Sequence, residues 1–288
     1  MLKTRLITAV VIAAFALVLL FATEATVFAL ITGLIVLGIG GWEAGRLSGL
    51  DAWRGSLLYA AALSLAGFGL AAVAGIIAPE IILFDQLHVL QSGVSVPVLL
   101  LAPAVLWIVL FGWLLQPALG KEASPGWQIT KLAVLATILI GAWLALCWLH
   151  QRSPWLVFML IVIIAAADIG AYFTGRTVGG RKLAPRISPG KTWSGLIGGV
   201  VATVVITAGS TFVVSAPPFA PLLAGAIAFI LAWISVGGDL FMSMLKRQRG
   251  IKDSSRLLPG HGGLLDRLDS LGAALPFFAL AVAYLAGQ

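Results

Sequence analysis

Long apolar stretches separated by short polar links run along the whole chain, and no heptad or solenoid-type repeat overlies them. Nine such stretches fall at approximately 5–22, 26–42, 56–78, 95–117, 129–149, 154–174, 193–215, 219–241 and 269–286. Crossing the hydrocarbon of a bilayer as an α-helix takes about 20 largely apolar residues, and each stretch comes close to that length. The pattern predicts an all-α, polytopic integral membrane protein of about nine transmembrane helices. The first stretch follows Lys3 and Arg5 as a secretory leader would, but no small-x-small cleavage site closes it. It is therefore read as a retained helix.

The polar links carry a directional signal. With the N-terminus placed in the cytoplasm, Arg152 alone faces outward, and the remaining 17 of the 18 Lys and Arg residues face the cytoplasm. Positive charge retains loops on the cytoplasmic side, so this bias predicts cytoplasmic basic loops and an external C-terminus. The chain divides into residues 1–150, with five helices in a supporting or dimer-forming role, and residues 151–288, with four helices and two basic loops. Acidic residues of the first part (Glu24, Glu43, Asp51, Glu80, Asp85 and Glu122) stand at span ends or in links, where solvated positions are expected, as are interfacial positions for His88 and His150.

Composition agrees with lipid as the solvent. Apolar residues make up 60% and charged residues 10%, against about 25% charged in soluble domains. The lone cysteine, Cys147, excludes a disulfide framework and a cysteine-based zinc site. A formal charge of +7 lies in short gaps between spans rather than in a tail or a finger, which suits anionic lipid or phosphate and not nucleic acid.

Chemistry concentrates after residue 150. The acidic residues there are Asp168, Asp239, Asp253, Asp266 and Asp269, each at a span end or in a basic loop. A carboxylate at membrane depth costs about 2.5–3.5 kcal/mol on insertion scales, so it persists by pairing, by meeting water or by holding a cation. Asp266 and Asp269 are three apart and share a face on a helix. That spacing suits a hard divalent cation with oxygen ligands and equally a surface ion pair through Arg267. One basic loop carries Lys246, Arg247, Arg249 and Lys252 ahead of Pro259-Gly260-His261-Gly262-Gly263, cationic side chains and a glycine-rich turn that suit phosphate. In the other, Ser188-Pro189-Gly190-Lys191-Thr192 has a fragment of P-loop character but lacks the upstream glycine spacing.

These segments carry a resemblance. Ser243 to Arg247, Lys252-Asp253, and Pro259 through Asp266-Arg267-Leu268-Asp269-Ser270 resemble the signature of CTP:phosphatidate cytidylyltransferases. Asp168 to Arg176, Lys182 to Pro189 and Lys191-Thr192-Trp193 are similar to that family's second motif, and Gly238-Asp239-Leu240 to the segment before the signature. Three positions depart: Met242, Ile169 and Ser194 stand where the family usually has Glu, Thr and Glu.

The resemblance implies condensation of CTP with phosphatidate to CDP-diacylglycerol and pyrophosphate, in a homodimer of the bacterial plasma membrane. It implies magnesium on Asp239, Asp266 and Asp269, with a second cation as a further expectation. Lys246, Arg247, Lys252 and Arg267 are expected on the triphosphate and pyrophosphate, Lys191 with Ser188 on a substrate phosphate, and Asp168 on metal or nucleotide. His261 is expected to donate a hydrogen bond to phosphate, or else to pin the glycine turn. Rival readings are a cytidylyltransferase for an ether or isoprenoid lipid phosphate, and a secondary transporter with buried carboxylates.

Overall fold

The computed structural model describes residues 2–77, 95–122, 124–213 and 217–286, with side chains from Leu6 onward; Glu80, Asp85 and His88 lie outside the described residues. The fold is an α-helical bundle: α1 (Leu2–Ala22), α2 (Ala25–Gly33), α3 (Gly40–Ser48), α4 (Trp53–Val73), α5 (Val96–Leu114), α6 (Pro125–Arg152), α7 (Pro154–Thr177), α8 (Trp193–Ser210), α9 (Pro221–Gln248) and α10 (Leu265–Leu285). A π turn over Leu34–Ile39 joins α2 to α3 in one rod, Ala25–Ser48. Among the described residues eight rods are long and apolar enough to cross a membrane, and α1 contributes the shorter apolar stretch Leu6–Ala22. Together these are the nine elements read from the apolar pattern.

Local chemistry starts the helices where it should. Ser124, Ser153 and Thr192 cap α6, α7 and α8 by accepting from the backbone N–H groups of Trp127, Trp155 and Gly195. Proline within the first two positions of α5, α6, α7 and α9 occupies a turn whose N–H groups have no helical acceptor. The ends differ more from expectation. The ninth rod begins at Leu265 rather than 269, and α9 continues to Gln248 rather than stopping near 241. An apolar criterion ends where charge begins, but Lys246 and Arg247 are good helix formers and carry α9 past the lipid edge.

Large side chains fill the centre. Trp107, Trp143, Phe241 and Phe278 are fully buried. The Trp107 ring meets Phe241 edge-on at 5.7 Å, joining α5 to α9. Trp143 Nε1 donates to Ala29 O and Thr32 Oγ1, both at 3.2 Å, joining α6 to α2. His150 is buried and stacked on Phe28 at 3.8 Å, with a ring nitrogen 3.0 Å from Leu20 O. It is thus a packed residue rather than an interfacial one, because Phe28 offers its ring a flat apolar seat.

Glycine permits the tightest seam, between α7 and α8. A Cβ on Gly199 would lie 2.7 Å from Ala167 O, and one on Gly170 would lie 2.8 Å from Gly198 O. Small residues let helices without a hydrophobic drive between them gain van der Waals contact. Gly199→Ala is expected to part the two backbones at a cost of about 1–3 kcal/mol, read as a lowered unfolding midpoint in detergent; an unchanged midpoint would mean that the seam yields freely.

Several links gather at one end of the bundle. Arg249 pairs with Asp51 of the α3–α4 link. Gln248 Nε2 donates to Pro117 O and Leu119 O of the α5–α6 link at 3.1 and 2.9 Å. Arg247 Nε reaches Ile187 O at 3.4 Å, and Thr8 Oγ1 reaches Pro259 O at 3.2 Å. Here the candidate chemistry assembles.

Candidate functional site

Two short antiparallel strands follow α7: β1 (Lys182–Ala184) and β2 (Ser188–Thr192), with Lys182 opposite Thr192 and Ala184 opposite Ser188. The Ser-Pro-Gly-Lys-Thr segment is therefore extended rather than wound into a phosphate loop. It delivers Lys191 to α9, where Nζ lies 2.6 Å from Asp239 Oδ2. Both side chains stay partly open, at 26% and 30% exposure, so this pair remains accessible to a ligand. Ser243, one turn on, donates to Asp239 Oδ1 at 3.1 Å.

Gly238 then brings α9 onto α10. A Cβ there would lie 2.5 Å from Asp269 O and 2.6 Å from Ala273 Cβ, so only glycine allows this approach. The approach sets Asp239 beside Asp269, and the two carboxylates act electrostatically on each other, with Lys191 and Lys246 opposing them. Asp269 Oδ1 accepts from Ser270 N at 2.8 Å. Both carboxylates keep acceptor capacity, and two like charges that act on each other suit a hard cation with oxygen donors.

Asp266, expected as a third metal ligand, has its partners within the protein. Its Oδ1 lies 2.6 Å from Lys246 Nζ, in a pair whose side chains are only 10% and 6% exposed. Its Oδ2 accepts from Ser254 N at 2.8 Å, Gly263 N at 2.9 Å and Ser254 Oγ at 3.1 Å. With one oxygen facing an ammonium and the other accepting two backbone N–H groups and lying within reach of the Ser254 hydroxyl, this carboxylate helps to fold the loop. Lys246, expected on the triphosphate, is the ion-pair partner of Asp266 here. Arg267 forms no ion pair with either aspartate among the described residues. Nor do three carboxylate, histidine or cysteine side chains converge there as a ready metal cage.

Glu43 overturns the expectation of a solvated span end. It is fully buried, and it accepts from Ser255 Oγ at 2.6 Å, Leu265 N at 2.8 Å, and Ser254 Oγ and Leu264 N at 2.9 Å each. The rule that flagged the aspartates, a carboxylate at the edge of an apolar run, also covered Glu43. Its small neighbours Ala44 and Gly45 were the further sign of close packing.

The other candidates divide among separate clefts. Asp168 and Lys191 line a cleft of about 360 Å³ with Tyr172, Arg176 and Gly190 between α7, α8 and the hairpin. Arg267 and Lys191 attract the Asp168 carboxylate, and Asp239 repels it. Arg247, Arg186 and Lys121 line a second cleft of about 840 Å³ together with Ile187 and Gln248. Lys252 opens on a third, of about 700 Å³, with Arg46, Asp253 and Arg256. Ser188 sits half-buried at the start of β2. His261 holds the glycine turn by its backbone, N–H to Leu258 O at 2.9 Å, and its Nδ1 is enclosed without a partner among the described residues.

Two of the three departures have a local account. Met242 is buried in an apolar cavity bounded by Trp107, Trp143, Leu268 and Asp269, where a second carboxylate would face desolvation beside the first. Ser194 Oγ donates to Gly179 O and lies 3.0 Å from Thr192 Oγ1, fastening the hairpin to α8. Ile169 is exposed on α7, and nothing in the structure explains its replacement of Thr.

Comparison with known proteins covers the whole of this arrangement. A model of the cytidylyltransferase family matches residues 3–285. A phosphatidate cytidylyltransferase of Pseudomonas aeruginosa is 40% identical over 294 aligned positions, covering 100% of this chain and 98% of that one. Proteins of the same name from Haemophilus influenzae and Brucella suis are 46% identical over 43% of this chain and 44% of theirs, and 39% identical over 58% and 68%.

Proposed function

Because the chain belongs to the cytidylyltransferase family, we propose that it is an integral membrane phosphatidate cytidylyltransferase, joining CTP and phosphatidate into CDP-diacylglycerol and pyrophosphate. The single observation that carries this reading is the partly open Lys191–Asp239 pair beside Asp269, at a cleft between membrane helices. A phosphate oxygen of phosphatidate attacks the α-phosphorus of CTP, a new P–O bond forms, and the bond from that phosphorus to the β-phosphate oxygen breaks. Pyrophosphate leaves with those electrons. Two anions must meet, so the protein's part is charge neutralisation and alignment.

Lys191, with Ser188 on the same strand, takes the phosphate of one substrate. The cleft holding Asp168 is flanked by Tyr172, 56% exposed among apolar neighbours, so diacyl tails can lie along α7 and α8 while the headgroup reaches Lys191. Arg267, with Arg247 and Lys252 from the other two clefts, receives the triphosphate and the leaving pyrophosphate, and His261 steadies the glycine turn. Asp239 and Asp269 would hold magnesium, which when bound supplies positive charge to the phosphates. A second cation would draw on Asp168, whose carboxylate Asp239 repels.

The links gathered at the basic end are read as cytoplasmic, where CTP is found, which puts the N-terminus on that side and directs α10 outward. The bacterial relatives make the plasma membrane the proposed location. A homodimer, implied by the family resemblance, is testable by crosslinking in native membranes.

Purified protein in mixed micelles is expected to transfer label from radioactive CTP into chloroform-soluble product with phosphatidate, and more slowly with ether or isoprenoid phosphates. Chelation should reduce the rate by about 100-fold or more, and added magnesium should restore it. Label that stays in the aqueous phase would sink the enzymatic reading, whereas full turnover after chelation would sink only the metal assignment.

A further inference from the structure

We infer that Glu43 is a positioning residue of the active site: its buried carboxylate fastens the 250–264 loop to the start of α10 and so sets where Lys252, Asp253 and His261 stand. This rests on the cytidylyltransferase reading above and extends it to a helix that carries no motif.

A carboxylate with no exposure persists only if its lone pairs are filled. Each oxygen of Glu43 takes one hydroxyl and one backbone N–H: Oε1 those of Ser255 and Leu264, Oε2 those of Ser254 and Leu265. All four donors belong to the loop and the first residue of α10. Helix α10 has no side-chain cap of its own, since Leu264 occupies that position. The leading N–H groups of a helix need an acceptor and favour negative charge, and Glu43 supplies both from more than 200 residues away in sequence.

Glu43 and Asp266 hold the loop jointly. The Ser254 hydroxyl lies 2.9 Å from Glu43 Oε2 and 3.1 Å from Asp266 Oδ2, so the two carboxylates share one donor. Gly263 leaves the room this needs, because a Cβ there would collide with Ser254 Oγ and stand 2.5 Å from Glu43 Oε1. The π turn at Leu34–Ile39 aims the residue. It adds one residue to the helical register and rotates α3 by about 100° relative to an unbroken α-helix.

Glu43→Gln is the sharpest test. In either orientation its amide nitrogen faces a backbone N–H, Leu264 in one and Leu265 in the other. In the phosphatidate assay we expect kcat to fall by about 30-fold or more, since small misplacements of reacting groups cost that much, with KM for phosphatidate within about threefold. Amide exchange across 254–265 should quicken while the helices stay protected. Glu43→Asp keeps the charge and both oxygens one methylene shorter, and should recover about tenfold of the loss. Thr32→Val loosens the same rod far from the loop and should lower the unfolding midpoint with kcat unchanged. If Glu43→Gln does not fold, Ser255→Ala, which removes one donor of four, should lower kcat by about threefold or more. Unchanged kcat in the variant that is tested, or an equal kcat loss in Thr32→Val, overturns the inference. Unmodified protein that makes no lipid product overturns the underlying reading instead.

Discussion

Asp269→Asn is expected to lower turnover by about 10²–10³-fold while the protein stays folded, monodisperse and at least as stable as before. The side chain sits where α9 and α10 touch through Gly238, next to Asp239; Lys191 pairs with Asp239 and Lys246 with Asp266, so Asp269 has no ion pair of its own among the described residues. Asparagine has the same shape and can still accept from Ser270 N, so packing is preserved. What disappears is one charge of a repelling pair, which should raise stability slightly rather than reduce it. Loss of activity together with an unchanged or higher unfolding midpoint is the signature of a carboxylate kept for chemistry. A variant that turns over at the original rate would take Asp269 out of the site.

The apolar pattern made the architecture legible because lipid leaves few alternatives: every backbone group must bond within its own segment, so long apolar runs become helices. The aspartates were legible for a related reason, since charge at the membrane edge needs a purpose. Glu43 was misjudged because its donors come from Ser254, Ser255, Leu264 and Leu265, a separation that no local pattern registers. Spacing on a helix gives Asp266 a face but not the partners on that face, which are Lys246 and the loop's own N–H groups. The hairpin is too short to read from the pattern: eight residues in two strands, one containing Pro189, show no alternation. Helix α9 outruns its apolar stretch because hydropathy measures lipid and not hydrogen bonding.

The chain's two parts meet at this loop. A motif-poor supporting region and a catalytic region were expected, yet α3 contributes Glu43 to the loop, Asp51 beyond it pairs with Arg249, and the α5–α6 link accepts from Gln248. The first part therefore borders the site directly. Loop placement depends on packing between the parts, so substitutions at that seam should alter activity before they unfold the bundle.

Lys246→Met is expected to cause the largest loss of stability. The Lys246–Asp266 pair is 2.6 Å long and almost closed to solvent. Removing one partner of such a pair typically costs about 3–5 kcal/mol, because the other charge stays buried without its counterion. For a chain of this size that corresponds to an unfolding midpoint lower by about 10 °C. Methionine fills nearly the same volume, so the loss is not one of packing. The double variant Lys246→Met with Asp266→Asn removes the stranded charge while an amide oxygen can still accept from Ser254 N and Gly263 N. It should regain at least half of the lost stability and turn over within about tenfold of the unmodified protein. Stability regained without turnover would return Lys246 to the phosphates, where the sequence pattern first put it, and would make Asp266 its anchor rather than its purpose.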